Sequence, residues 1–154
     1  MKQRIYIDTS VVGGFFDDEF AEATQKLFQR LENKEIVFVI SDILDNELQD
    51  APAQVKNLLQ NYADDCFEYV TLTPEARRLA NAYIAEKVVG KTSLEDCYHI
   101  ALATLYKADV LASWNFKHIV NLDRIKGYNG VNLKMGYAML EIRNPKELVK
   151  YESD

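Results

Sequence analysis

The sequence predicts an α/β fold with a largely parallel sheet. Short β-branched runs alternate with longer amphipathic stretches of helical period. The run Ile36-Val37-Phe38-Val39-Ile40 is apolar throughout, as expected of a parallel strand buried on both faces. The 154 residues contain no linker, internal repeat or low-complexity segment, so one domain over 1–154 is expected.

The elements follow in order. Ile5-Tyr6-Ile7 reads as a strand ending at Asp8, and Thr9 to Gly14 as a loop or short helix. Residues 18–33 fit an amphipathic helix through Phe20, Ala23, Thr24, Leu27, Phe28 and Leu31. After the second strand, Ser41 is a good N-cap for a helix over 42–49. Ala51-Pro52 interrupts, and a second helix is expected over about 53–62. Phe67 to Leu72 reads as a strand, and Thr73-Pro74-Glu75 opens a helix over 74–87 with its cap and proline in the favoured order. Thr92-Ser93 opens a helix over 94–106, and Val110 to Ser113 is a strand. Residues 116–126 are expected to be helical and to stop at Gly127. Leu133 and Tyr137 to Leu140 bracket a last strand region, and Asn144-Pro145 precedes a short terminal helix.

Composition narrows the function. With 48% hydrophobic and 27% charged residues the chain is ordinary for a soluble globular protein. No signal peptide or membrane span is legible, and the expected location is cytoplasmic. Cys66 and Cys97 lack CxxC spacing and read as reduced core thiols; with only His99 and His118 besides, a zinc site is not expected. A net charge of -6 excludes broad electrostatic coating of nucleic acid. The charge is uneven: residues 1–68 carry 6 basic and 14 acidic side chains, residues 69–154 carry 12 and 10.

Three acids stand in informative places. Asp8 sits at the carboxyl end of a strand, where open parallel sheets bind ligands. No GxGxxG or Walker pattern follows it, which argues against a nucleotide cofactor; a turn-capping role is the plain alternative. Glu47 has Ile43, Leu44, Leu48 and Ala51 as helical neighbours, so it lies in or at the edge of an apolar face, whereas Asp45 and Gln49 belong on the solvent side. Asp96 lies three residues after Ser93, which also resembles a capping box. Its helix is apolar almost all round, which turns Asp96 inward and leaves Glu95 exposed. Three carboxylates near one sheet edge raise one another's pKa and call for a cation; oxygen ligands suit Mg²⁺ or Mn²⁺, which can activate water against a phosphodiester.

These residues resemble the PIN domain ribonucleases, including the VapC-type toxins of toxin–antitoxin pairs. The matching segments are Ile5 to Ser10, Ser41 to Glu47, Ser93 to Ala101 with Ala103-Thr104, and Ala108 to Asn115, in the family's order over nearly the whole chain. The resemblance implies a three-layer α/β/α sandwich with a small, mainly parallel sheet. It implies that Asp8, Glu47 and Asp96 hold Mg²⁺ or Mn²⁺, that Thr9 or Ser10 supports the first acid or binds substrate, and that Ser113 is the hydroxyl preceding the fourth acidic position. Many members carry Asp where this chain has Asn115, so a second metal ion is expected to bind more weakly. The implied partners are an RNA substrate, a small antitoxin protein and a second copy of the chain.

For phosphate contacts the nearest basic residues are Lys117, Arg124, Lys126 and Lys134, interleaved with Trp114, Phe116 and Tyr128. A solvated helix face over core aromatics is the plain alternative, as core packing is for Leu27, Phe28 and Leu31. The leading expectation is a metal-dependent endoribonuclease, the toxin of a toxin–antitoxin pair. The second is a degenerate PIN domain that binds RNA or protein without cutting, motivated by Asn115. A phosphatase of the haloacid dehalogenase type fits poorly, because Ser10 stands where its second Asp is needed.

Overall fold

A computed structural model describes residues 2–149. The strands are β1 (Gln3–Ile7), β2 (Ile36–Ser41), β3 (Phe67–Val70), β4 (Val110–Ala112) and β5 (Ile142–Arg143). The helices are α1 (Thr9–Gly14), α2 (Ala21–Glu32), α3 (Asp42–Leu48), α4 (Ala53–Lys56), α5 (Pro74–Ala85), α6 (Leu94–Leu105) and α7 (Leu122–Lys134). The strands form one parallel sheet in the order β3-β2-β1-β4-β5. All its carboxyl ends therefore lie on one edge, and the direction of the strand order reverses beside β1.

Period-2 alternation gives the sheet two apolar faces and so three layers. Ile5, Ile7, Phe38, Ile40, Val110 and Ala112 join Leu27, Phe28 and Leu31 of α2 and Leu44 and Leu48 of α3. Tyr6, Val39 and Leu111 join Leu79, Ala80 and Tyr83 of α5, Cys97, Ile100 and Ala101 of α6, and Tyr128 and Val131 of α7. The stripe Leu27, Phe28, Leu31 is thus core. Both cysteines are free and buried. Among the described residues no helix is long and apolar enough to cross a membrane.

Four local expectations need correction. The segment expected as one helix over 53–62 is α4 followed by a 3₁₀ turn, Leu58–Asn61. Helix α5 stops at Ala85, before Gly90: Lys87 takes the left-handed conformation (φ 63°), and the Val88 N–H closes on the Tyr83 carbonyl.

The helix expected over 116–126 is α7, displaced to 122–134 and running through Gly127. Its start is set by Asn121, whose side chain accepts from the Arg124 N–H. Residues 137–140 are not a strand. Their backbone is engaged by a side chain, since Asn129 donates to the Leu140 carbonyl (3.0 Å) and accepts from the Leu140 N–H (2.7 Å). The ladder with β4 begins only at Glu141, whose carbonyl accepts from the Leu111 N–H.

Candidate functional site

The site is built at the carboxyl edge, around the reversal in strand order. Asp8 follows β1 and serves as N-cap of α1, its Oδ1 accepting from the Val11 N–H at 3.3 Å. The plain capping role is therefore real, but it uses only part of the carboxylate. The Ser10 hydroxyl donates to Oδ1 at 2.6 Å and the Ser113 hydroxyl, from the end of β4, donates to Oδ2 at 2.5 Å. Ser10 Oγ also accepts from the Trp114 N–H, and Ser113 Oγ from the Asn115 N–H, so the two hydroxyls tie the loop after β4 to Asp8. Asp8 is only 4% exposed. Burial pushes its pKa up, against the pull of the nearby His99 ring, the two serines and the Val11 N–H.

Glu47 lies at the end of α3, whose start is fixed by Ser41 capping the Leu44 N–H at 3.3 Å. Asp45 and Gln49 are exposed and Glu47 is half-buried, as the helical pattern predicts. Its Oε1 accepts from the Thr9 hydroxyl at 2.8 Å and stands 2.6 Å from His99 Nε2. Burial alone would raise its pKa; His99, Thr9 and a side-chain contact with Glu95 together outweigh burial and hold it below the ordinary value.

Asp96 occupies the first turn of α6. A helix packed antiparallel to the strands of a parallel sheet begins at their carboxyl edge, which brings Asp96 there. Ser93 makes no side-chain capping bond, so the capping-box reading of Ser93 to Asp96 does not hold. Glu95 is exposed and Asp96 half-buried. The Asp96 pKa is raised by burial; the His99 and His118 rings pull it down, while the Asp8 and Glu47 carboxylates push it up. Asp96 is thus in electrostatic reach of both other acids. None of the three has a Lys or Arg ion-pair partner among the described residues.

Asn115 joins this group through its amide, 3.5 Å from Asp96 Oδ2. Its side-chain oxygen accepts from the His118 N–H at 2.9 Å and so caps the turn that follows β4. Lys117 is exposed two residues beyond. Of the other basic residues, Arg124 is hydrogen-bonded to the Val88 carbonyl and Lys134 is paired with Glu86 at 3.1 Å. Tyr128 is core. So is Trp114, which stacks on Phe20 (4.2 Å between centroids) and donates to Thr24. Phe116, 47% exposed, is the aromatic of that group left open to solvent.

The donor chemistry fits a hard divalent cation: three carboxylates, with hydroxyls behind two of them. The side chains do not yet form a cage. Among the described residues no three Asp, Glu, His or Cys side chains stand close enough to hold a metal as placed.

Residue-level reading missed His99. It sits three residues after Asp96 on α6, on the same helical face, and that spacing was a usable signal.

No family model matches the sequence, and no curated protein matches it. Solved structures do. The chain is similar to VapBC2 of Rickettsia felis, solved bound to a DNA fragment from its promoter (TM-score 0.58, 14% identity, covering 92% of this chain and 98% of that one). It is also similar to VapC20 of Mycobacterium tuberculosis, described as a sarcin-ricin loop cleaving toxin (TM-score 0.58, 12% identity, 73% and 91%). A third is FitAcB from Neisseria gonorrhoeae (TM-score 0.51, 15% identity, 92% and 98%). The chain shares the fold of these structures.

Proposed function

We propose that this chain is a metal-dependent endoribonuclease and the toxin of a toxin–antitoxin pair. One observation carries the reading: three carboxylates from different elements face the strand-order reversal, and Asp96 feels both Asp8 and Glu47, opposed by the His99 and His118 rings but by no Lys or Arg ion pair among the described residues. Clustered buried acids without a cationic side chain are costly unless a cation joins them. Asp8, Glu47 and Asp96 would hold Mg²⁺ or Mn²⁺, which when bound activates water and stabilises charge on a phosphodiester.

The chain's own residues do the rest. Ser10 and Ser113 orient Asp8, Thr9 braces Glu47, and the Asn115 amide steadies Asp96. Lys117 is the phosphate contact beside the acids. The fold shared with the VapBC2 and FitAcB structures supports a small antitoxin partner; a homodimer and a cytoplasmic location belong to the same proposal.

The test is cleavage of single-stranded and structured RNA with Mn²⁺ or with EDTA. Cleavage should need the metal. Asp8→Asn and Asp96→Asn should each lose about 10²-fold or more while remaining folded, since a missing ligand removes stabilisation worth several kcal/mol. Full activity in EDTA would reject the proposal.

A second reading, a PIN-like domain that binds without cutting, is favoured by Asn115 and by the unassembled donor set. Calorimetric titration separates the two: no Mn²⁺ binding to the wild type and none gained in Asn115→Asp supports the non-catalytic module.

A further inference from the structure

His99 is a buried histidine, 1% exposed, with both ring nitrogens engaged. Nε2 stands 2.6 Å from Glu47 Oε1, and Nδ1 stands 2.7 Å from the Tyr6 hydroxyl. That hydroxyl is in turn 2.8 Å from Ser41 Oγ. Tyr6 is fully buried on β1, and burial holds its phenol protonated, its pKa pushed well above the ordinary range.

One direction of donation satisfies the whole chain of contacts. Facing a carboxylate, Nε2 carries the hydrogen and donates to Glu47. Nδ1 accepts from Tyr6, and the Tyr6 oxygen accepts from Ser41. Ser41 meanwhile accepts from the Leu44 N–H and so starts the very helix that carries Glu47.

The relay thus begins at the N-cap of α3 and ends on that helix. It runs from Ser41 through β1 and α6 back to the carboxylate. A buried polar chain of this kind is retained at a desolvation cost that an apolar side chain would avoid. Its terminus is the half-exposed acid, where His99 and Thr9 both donate to the same oxygen, Oε1.

We infer that His99, backed by Tyr6 and Ser41, is a positioning residue that fixes the Glu47 carboxylate so that its second oxygen is presented to the site formed with Asp8 and Asp96. The inference rests on the nuclease reading. His99 touches neither metal nor RNA; it sets the geometry of the acid that does. Histidine is needed because its two nitrogens span from a phenol to a carboxylate on opposite sides of one ring, which no aliphatic side chain can do.

The test compares wild type with His99→Leu, His99→Gln and Tyr6→Phe, each checked for folding by thermal melting. Mn²⁺ affinity is read by calorimetry, and kcat and KM by RNA cleavage. His99→Leu should bind Mn²⁺ about 10- to 100-fold more weakly and lose kcat by a similar factor, with KM little changed. His99→Gln, whose amide N–H can stand where Nε2–H stood, should recover most of both. Tyr6→Phe, which removes one oxygen, should fall in between. A purely structural His99 would lower the melting temperature and leave Mn²⁺ affinity and kcat of the folded chain unchanged.

Folded His99→Leu that binds Mn²⁺ and cuts like wild type overturns the inference alone. If His99→Leu does not fold, wild-type behaviour of Tyr6→Phe does the same. A wild-type chain that neither binds Mn²⁺ nor cuts RNA overturns the nuclease reading and this inference with it.

Discussion

Asp8 illustrates how an acid proposed as a metal ligand conflicts with stability. Burial raises its pKa in the folded state above that of the unfolded chain. The folded state therefore holds the proton more tightly, and the group favours folding below its unfolded pKa. That contribution is lost as pH rises through the folded pKa. Without metal, ionising Asp8 therefore works against the fold. Asp8→Asn in EDTA should consequently melt higher than wild type at pH 7, by about 2–4 °C for each kcal/mol regained in a chain of this length. The gain should shrink as pH falls into the carboxylate range, and a lower melting temperature at pH 7 would contradict it. At this scale the sequence disclosed the acids but not what holds them. Glu47 was legible from its apolar helical neighbours, and Asp96 from the apolar helix around it. The Ser113–Asp8 bond spans 105 residues and the Tyr6–His99 contact 93, and no local pattern encodes either. Asn115, by contrast, commits its oxygen locally, to the His118 N–H three residues on.

The helices that frame the site were readable where capping chemistry was explicit. Ser41 and Thr73 cap as their residue types predict, accepting from Leu44 and Ala76. Helix α7 was misplaced for a physical reason. Its buried face carries Asn129 and Asn132, which engage Leu140, Thr104 and Tyr83, so polar residues occupy positions that a hydrophobic pattern would score as surface. Gly127 also reads as a stop, yet it and Gly130 are both helical. They differ in surroundings. A Cβ at Gly127 would meet Val88 Cγ1 at 2.7 Å, whereas one at Gly130 meets nothing within 4 Å. Gly127→Ala should therefore destabilise by about 1–3 kcal/mol through overpacking. Gly130→Ala should stabilise by roughly 0.5–1 kcal/mol through lost unfolded-state freedom. Urea denaturation reads both, and equal effects would show that the Val88 contact is not limiting.

Across the whole molecule, the parallel topology makes the site. The order β3-β2-β1-β4-β5 aligns every carboxyl end, so residues after β1 and β4, at the end of α3 and at the start of α6 meet although they are far apart in sequence. The α/β class and this parallel sheet were legible from β-branched runs alternating with helices. The two-residue β5 was too short to give a pattern. The net charge of -6 takes on a different meaning once three acids are assigned to a cation. The acidic first half then supplies two of the three ligands, and the second half supplies Asp96 and Lys117. The most direct test is an anomalous-difference map from a crystal soaked in Mn²⁺. The account requires one strong peak with carboxylate oxygens of Asp8, Glu47 and Asp96 around it, direct contacts falling at about 2.0–2.6 Å. A map with no peak there, or with Mn²⁺ bound elsewhere and the three acids unmoved, would contradict it.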